Sequence, residues 1–420
     1  MNINQFTIIV LGICLFFGCQ QDTINIALLE EKIDEVVKEG LQAKAYPGAQ
    51  VLVAKGGEVV FHKTYGYHTY KNKKPVQKDN LYDFASITKV TTGLPILMKL
   101  YGEDKFDIDA PLKQYFPKFK NSNKANLTFK AMLAHHAQLH PYIVYWAKTL
   151  NKNGRFKPQT FEKERSKDYS IYITDSLYLH KNYKQQIYKA IMESPLNEEK
   201  GYKYSGLLFL LLPEIIEDLT KTDFETYLNK TFYEPLGTTT LTYNPLKKFP
   251  KERIIPTEDD IFFRKQMIHG TVHDEAAAML GGVSCNAGLF GTAEDLAKIF
   301  QLYLNNGTYK SKRYISEKAI HEFTQCQYCD QGNHRGLGFD KPIPIPMFQE
   351  GEISTYVAKS ASPESFGHSG FTGTFVWADP KYDLLVIFLS NRVYPTRKNR
   401  NLYKLDIRPR IHQAVYDALK

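Results

Sequence analysis

Between residues 24 and 45, apolar side chains recur at Ile26, Leu29, Ile33, Val36, Val37 and Leu41. That spacing of three and four predicts an amphipathic helix. Two apolar runs follow, 49–54 and 59–65, split by Lys55-Gly56-Gly57-Glu58. β-rich runs separated by a glycine pair predict a hairpin. From Ser86 to about Ile216 the pattern is mostly helical with long polar connections, and the charged stretch 148–169 predicts a loop. Near the other end, 371–378 and 384–390 read as strands joined by Asp379-Pro380-Lys381-Tyr382-Asp383, and 407–419 reads as a closing helix. Strands and helices at both ends flank a helical middle. The expected architecture is α+β: an antiparallel sheet built from both termini, flanked by N- and C-terminal helices, with a mostly helical subdomain. Its α/β part would comprise 25–85 and 261–420, and its helical part 86–260. No internal repeat and no low-complexity tract appears.

Composition narrows the class. The 420 residues are 43% hydrophobic and 24% charged, which excludes a disordered chain, a collagen-like fibre and a small disulfide scaffold. The net charge of +9 suits an anionic partner or an acidic envelope polymer. Basic stretches such as 71–74 are short and carry no interleaved aromatics, so no nucleic-acid partner is expected.

Residues 6–18 (FTIIVLGICLFFG) form an unbroken apolar run ending at Phe17-Gly18-Cys19. The run is shorter than the roughly 20 residues of a membrane span and fits the apolar core of a secretory signal. A small residue followed by cysteine resembles the lipobox of bacterial lipoproteins, although the preceding segment MNINQ has no Lys or Arg and Phe16 stands where Leu is usual. The resemblance implies removal of 1–18, lipidation of Cys19 and a tether over 19–24; a plain signal or a short anchor helix is the alternative. The implied location is the cell envelope, held to a membrane through the lipid and facing the periplasm. Cys14 would leave with the signal. Cys326-Gln327-Tyr328-Cys329 has no second pair to complete a zinc site, which leaves a local disulfide or two idle thiols.

Candidate chemistry begins at Ser86-Ile87-Thr88-Lys89, the one place where a serine is followed three residues on by lysine. On a helix, positions i and i+3 share a face, so Lys89 would lie beside the Ser86 hydroxyl. A serine hydroxyl is a weak nucleophile until a neighbouring base or cation activates it. Two later segments change the weight of that pair. Tyr202-Lys203-Tyr204-Ser205 precedes a strongly apolar helix, and 366–374 (FGHSGFTGT) leads into a strand.

In these three places, and in that order, the chain resembles the serine β-lactamase and penicillin-binding protein superfamily, in its class C β-lactamase, DD-peptidase and esterase branch. The matching elements are Ser86-Ile87-Thr88-Lys89 for SxxK, Tyr204-Ser205-Gly206 for YxN, and His368-Ser369-Gly370 for KTG or HxG. Further likeness lies in 46–49, 82–89, 132–135, 235–237, 281–290 and 388–392, and 256–259 with 272–275 is similar to a sub-branch of low-molecular-mass penicillin-binding proteins. The resemblance covers roughly Tyr46 to the end. It implies an acyl-transfer enzyme without a cofactor or metal, acting on a peptidoglycan peptide or a small ester or amide. By it, Ser86 is the nucleophile, Tyr204 takes the serine proton with its pKa lowered by the Lys89 ammonium, and Lys89 orients both. The backbone N–H groups of Ser86 and Phe371 form an oxyanion hole. His368, Ser369 and Gly370 bind substrate.

Two positions depart from that pattern. Gly206 replaces the Asn or Asp whose side chain, in the family, helps hold the lysine and the substrate amide. His368 replaces Lys; with an ordinary pKa of about 6.5 it is mostly neutral at pH 7, so carboxylate recognition should be weaker or pH-dependent. Both departures lead away from a dedicated β-lactamase and towards a D-alanyl-D-alanine carboxypeptidase or a D-amino-acid peptidase, with a carboxylesterase or a β-lactamase on the same site as the alternative. Gly206 also admits a catalytically weak peptidoglycan-binding or β-lactam-sensing lipoprotein. Elsewhere, His269 and His273 have no third ligand in view for zinc, His135 and His136 read as packing or capping residues, and Asp259 with Arg264 reads as a substrate contact or a surface ion pair.

Overall fold

The computed structural model describes residues 23–71, 73–343 and 357–420. The apolar run 6–18 and Cys19 lie outside them. In chain order, the elements that frame the site are α1 (Ile26–Gln42), β1 (Gly48–Lys55), β2 (Glu58–Gly66), α2 (Gly93–Gly102), α3 (Leu207–Thr220), α4 (Ala293–Leu304), β3 (Phe366–Ser369), β4 (Phe375–Asp379), β5 (Leu384–Ser390) and α5 (Ile407–Asp417).

The five strands form one antiparallel sheet in the order β3-β4-β5-β1-β2. The first strands of the chain therefore meet the last, with Ala49 opposite Ser390 and Lys55 opposite Leu384. Alternate side chains divide cleanly between two cores. Val51, Val53, Phe375, Trp377, Val386 and Phe388 pack with Leu29, Ile33 and Val37 of α1 and Ile407, Ile411 and Val415 of α5. Leu52, Ala54, Val376, Ala378, Leu385, Ile387 and Leu389 join the other core, with Leu296, Ile299 and Phe300 of α4 and the helical part. Burial of both faces explains why β1 and β5 read as continuous apolar runs rather than alternating ones. Each fully buried Val, Leu, Ile or Phe stabilises by about 1.5–3 kcal/mol.

The α+β class and the antiparallel sheet from both ends stand as expected. Two details differ. The strand expected over 371–378 is a turn followed by β4, because Gly373 has φ +121° and the turn closes on itself through Gly370 N–H to Thr374 O (2.8 Å) and Gly373 N–H to Gly370 O (3.1 Å). The segment expected as a loop over 148–169 contains the strand Phe161–Glu162, which pairs with Leu177–Leu179, itself paired with Ile171–Thr174. Cys326 and Cys329 form a disulfide.

Candidate active site

Ser86 occupies a 3-10 turn, Ala85–Ile87, that runs into the short helix Thr88–Thr91; α2 starts anew after Thr92. Ala85 has φ +48°, the left-handed region that side chains avoid, at a cost on the order of 1–3 kcal/mol. The buried carboxylate of Asp83 holds this turn, accepting from Ala85 N–H (2.8 Å) and from His273 N–H (2.7 Å). Lys89, 2% exposed, reaches back one helical turn and donates from Nζ to Ser86 Oγ (3.0 Å) and to the Asn286 backbone O (2.8 Å). Burial pushes the Lys89 amine down to about 7; Asp274 opposes this and Arg335 adds to it.

Tyr204 comes from the segment that precedes α3. Its ring centre lies 5.5 Å from Lys89 Nζ. Its hydroxyl is buried and forms no well-aligned hydrogen bond among the described residues, although Ser86 lies close enough to favour its ionised form. Burial nonetheless raises its pKa, outweighing Arg335 and Ser86. The expected lowering of the phenol by the Lys89 ammonium is thus reversed. Both groups are desolvated, which disfavours charge on either: the lysine moves towards a neutral amine and the tyrosine stays a phenol.

The third motif lies on β3. His368 is 2% exposed and donates Nδ1–H to Ser369 O (2.7 Å), leaving Nε2 buried with no partner. Burial, then the Arg335 and Lys89 charges, push its pKa well below the ordinary histidine value. The ring therefore stays neutral throughout the neutral range, and the expected pH-dependent recognition through His368 is not supported. Past β3 the chain is stitched to the Ser86 turn: Thr372 Oγ1 donates to Asp83 O (2.8 Å) and Thr374 Oγ1 to Phe84 O (3.0 Å). Gly370 is required here, since a Cβ on it would lie 2.1 Å from Thr374 Oγ1 and 2.4 Å from Phe84 O. Arg408 donates to Gly370 O (2.7 Å) and Arg392 to Phe371 O (2.9 Å), fixing the peptide whose N–H is the oxyanion-hole candidate. That Phe371 N–H meets no acceptor among the described residues, and the Phe371 side chain is 45% exposed.

One residue of this cluster was read only as packing or capping, and another escaped the sequence reading. His135 packs, as expected, and its place is beside the second motif: it lies 4.4 Å from the Tyr204 ring, accepts Ser205 N–H on Nδ1 (3.1 Å) and takes Lys203 N–H on its backbone O (2.8 Å). Its proton is then on Nε2, which is buried without a partner. Arg335, 2% exposed, pairs with Asp340 and places its guanidinium 5.4 Å from the Tyr204 ring centre. The likeness of 132–135 to family text was the one signal for His135; Arg335 had none.

Other candidates fall elsewhere. His269 bonds to Ile254 O (2.8 Å) and His273 to Glu258 (2.8 Å), and no cluster of metal-ligating side chains occurs among the described residues. Arg264 pairs with Asp260, not Asp259, and both side chains are fully buried, so the pair is neither a substrate contact nor a surface bridge.

A model of the Beta-lactamase family matches residues 33–408, and the chain belongs to that family. It is 29% identical over 408 residues to the Escherichia coli (strain K12) protein named "Putative D-alanyl-D-alanine carboxypeptidase", covering 89% of this chain and 87% of that one. It is 27% identical to the "N-acetylmuramyl-L-alanine amidase" of Bacillus subtilis (strain 168), covering 93% and 89%. Among solved structures, a penicillin-binding protein homolog from Caulobacter crescentus superposes with a TM-score of 0.63 at 18% identity, over 93% of this chain and 98% of that one. The chain is a serine hydrolase of this family.

Proposed function

We propose that the chain cleaves peptides ending in D-alanyl-D-alanine, or a related D-amino-acid peptide, through an acyl-enzyme on Ser86. The observation that carries this is the 3.0 Å approach of the buried Lys89 Nζ to Ser86 Oγ. With its pKa near 7, Lys89 is substantially the free amine at neutral pH and accepts the Ser86 proton as Oγ bonds to the acyl carbon. The Ser86 and Phe371 N–H groups receive the oxyanion; one such donor is worth about 3–4 kcal/mol in related chemistry. The scissile C–N bond breaks as the leaving amine takes a proton from the Tyr204 phenol, which Lys89 reprotonates. Water then releases the acyl group by the reverse relay. The relatives named for D-alanyl-D-alanine carboxypeptidase and muramyl amidase chemistry support a peptidoglycan peptide as substrate.

A carboxylesterase reading on the same serine is favoured by one observation. His368 stands neutral where the family pattern has a permanent cation, so no charge at that position requires a substrate carboxylate. We also propose that the chain is exported and held in the envelope by lipid on Cys19. Among the described residues no helix is long and apolar enough to cross a membrane; a lipid anchor needs none.

The deciding experiment is mass spectrometry of the chain from Gln20 onward after a penicillin and, separately, a fluorophosphonate, with Ser86→Ala as control. Adducts with both on Ser86, and release of D-alanine from a D-alanyl-D-alanine peptide, are expected. Fluorophosphonate labelling with p-nitrophenyl ester turnover but no peptide turnover would favour the esterase. Labelling retained in Ser86→Ala would overturn the scheme. Palmitate labelling in cells, lost in Cys19→Ala, tests the anchor.

A further inference from the structure

The second motif of the family carries an amide or carboxylate side chain at its third position, and this chain has Gly206 there. Its backbone does not demand glycine, since φ is −87°. Nor is the space filled: a Cβ added at Gly206 would meet one heavy atom within 4 Å, Asn286 Cβ, at 3.9 Å. Asn286 is thus the residue next to that position. Its backbone O already receives Lys89 Nζ (2.8 Å). Its carboxamide is clamped from behind: Nδ2 donates to Asp274 Oδ1 (3.1 Å), and Oδ1 accepts from Ser284 Oγ (2.6 Å). A carboxamide has two N–H groups and two lone pairs, so one of each remains after these bonds. The residue is 8% exposed, so part of it stays accessible.

We infer that Asn286 supplies, from the position beside Gly206, the amide that the second motif lacks there, and donates its remaining Nδ2–H to the carbonyl of an acyl-side amide on the substrate. This rests on the Ser86 acyl-enzyme reading and specifies its substrate: a peptide with an amide one residue before the scissile bond, rather than a simple ester. The clamp by Asp274 and Ser284 fixes the amide before substrate arrives, as a binding group requires.

The test compares two acylating probes on Ser86: an N-acyl-D-alanyl-D-alanine peptide, which has the acyl-side amide, and a fluorophosphonate, which lacks it. Asn286→Ala is expected to lower the peptide acylation rate about tenfold more than it lowers fluorophosphonate labelling, tenfold being the size of one hydrogen bond. Adding Gly206→Asn in the Asn286→Ala background is expected to recover most of the loss, because its side chain starts 3.9 Å from the Asn286 Cβ and enters the space that the Asn286 side chain leaves. Equal losses with both probes, no loss with the peptide, or no rescue by Gly206→Asn would each overturn the assignment while leaving the nucleophile standing. A fluorophosphonate adduct in a parent chain that no peptide acylates would do the same. No Ser86 adduct from either probe would overturn the acyl-enzyme reading and this assignment with it.

Discussion

The rings of His135 and Tyr204 lie against each other, 4.4 Å between centres, and the same histidine holds the backbone on both sides of that tyrosine. A packed ring and two hydrogen bonds together fix where the phenol stands. In His135→Ala the Ser205 N–H loses its acceptor, a loss of about 1–3 kcal/mol in unfolding free energy. Fluorophosphonate labelling of Ser86 should slow by roughly tenfold or more as Tyr204 loosens, since positioned proton-transfer groups contribute about 10²–10⁴-fold. His135→Phe keeps the ring without the acceptor and should fall between. Melting curves and labelling rates read the two effects separately.

The depressed Lys89 pKa sets a pH profile. If the neutral amine is the base, as proposed, Ser86 labelling should rise with pH through about 7 and level off above it. Lys89→Met should abolish that limb and slow labelling on the order of 10²–10⁴-fold.

The same group gives stability the opposite dependence to a paired lysine. Between about 7 and the ordinary lysine value of 10.5, the unfolded chain holds a proton that the folded one has released. Unfolding free energy should therefore rise with pH across that window, by up to about 1.4 kcal/mol per pH unit. Denaturant titrations at pH 7 and 9, with Lys89→Met as the flat control, measure it.

Asp83 joins the Ser86 turn to the segment bearing His273. Asp83→Ala leaves two buried N–H groups without acceptors, which should cost about 2–5 kcal/mol. Labelling of Ser86 should fall further than stability alone explains, because Ala85 relaxes from its left-handed conformation. Asp83→Asn, which keeps one acceptor, should recover part of both.

Gly370→Ala would place a methyl group against Thr374 Oγ1, Phe84 O and Ala85 Cβ at once. Two of those belong to the approach to Ser86, so β3 and the nucleophile turn must separate. Loss of labelling with stability reduced by about 1–3 kcal/mol is expected, as for other overpacked sites. A fully active alanine variant would show that the two elements are free to move apart.

Much of this was written in the apolar pattern. The runs around Val51–Val53 and Val386–Phe388 are long and uninterrupted, so β1 and β5 were legible, as was the heptad-like spacing of α1. The start of β4 was placed too early because Phe371, Thr372 and Thr374 favour strands, while the turn depends on Gly370 and Gly373, whose effect is conformational rather than apolar. The strands within 161–179 are two to four residues long, too short for a period to show. Of the site, Ser86, Lys89, Tyr204 and His368 were visible as motifs. His135 showed only as part of a family-like segment and Arg335 not at all, because only the fold brings them to the Tyr204 ring. The direction of the Tyr204 shift was lost for a related reason: a nearby cation can be guessed from sequence, but the depth of burial that outweighs it cannot.

The pairing of β1 with β5 also orders events in time. The central strand of the sheet is among the last segments to be synthesised, and its partner among the first. Until β5 emerges, β1 and β2 form only an isolated hairpin, which is marginal in water, and neither core can close. Ser86 then has no β3 edge beside it. The nascent chain should accordingly carry an unassembled nucleophile for nearly its whole synthesis, fold slowly through its distant contacts, and give no active fragment when cut short before Ser390.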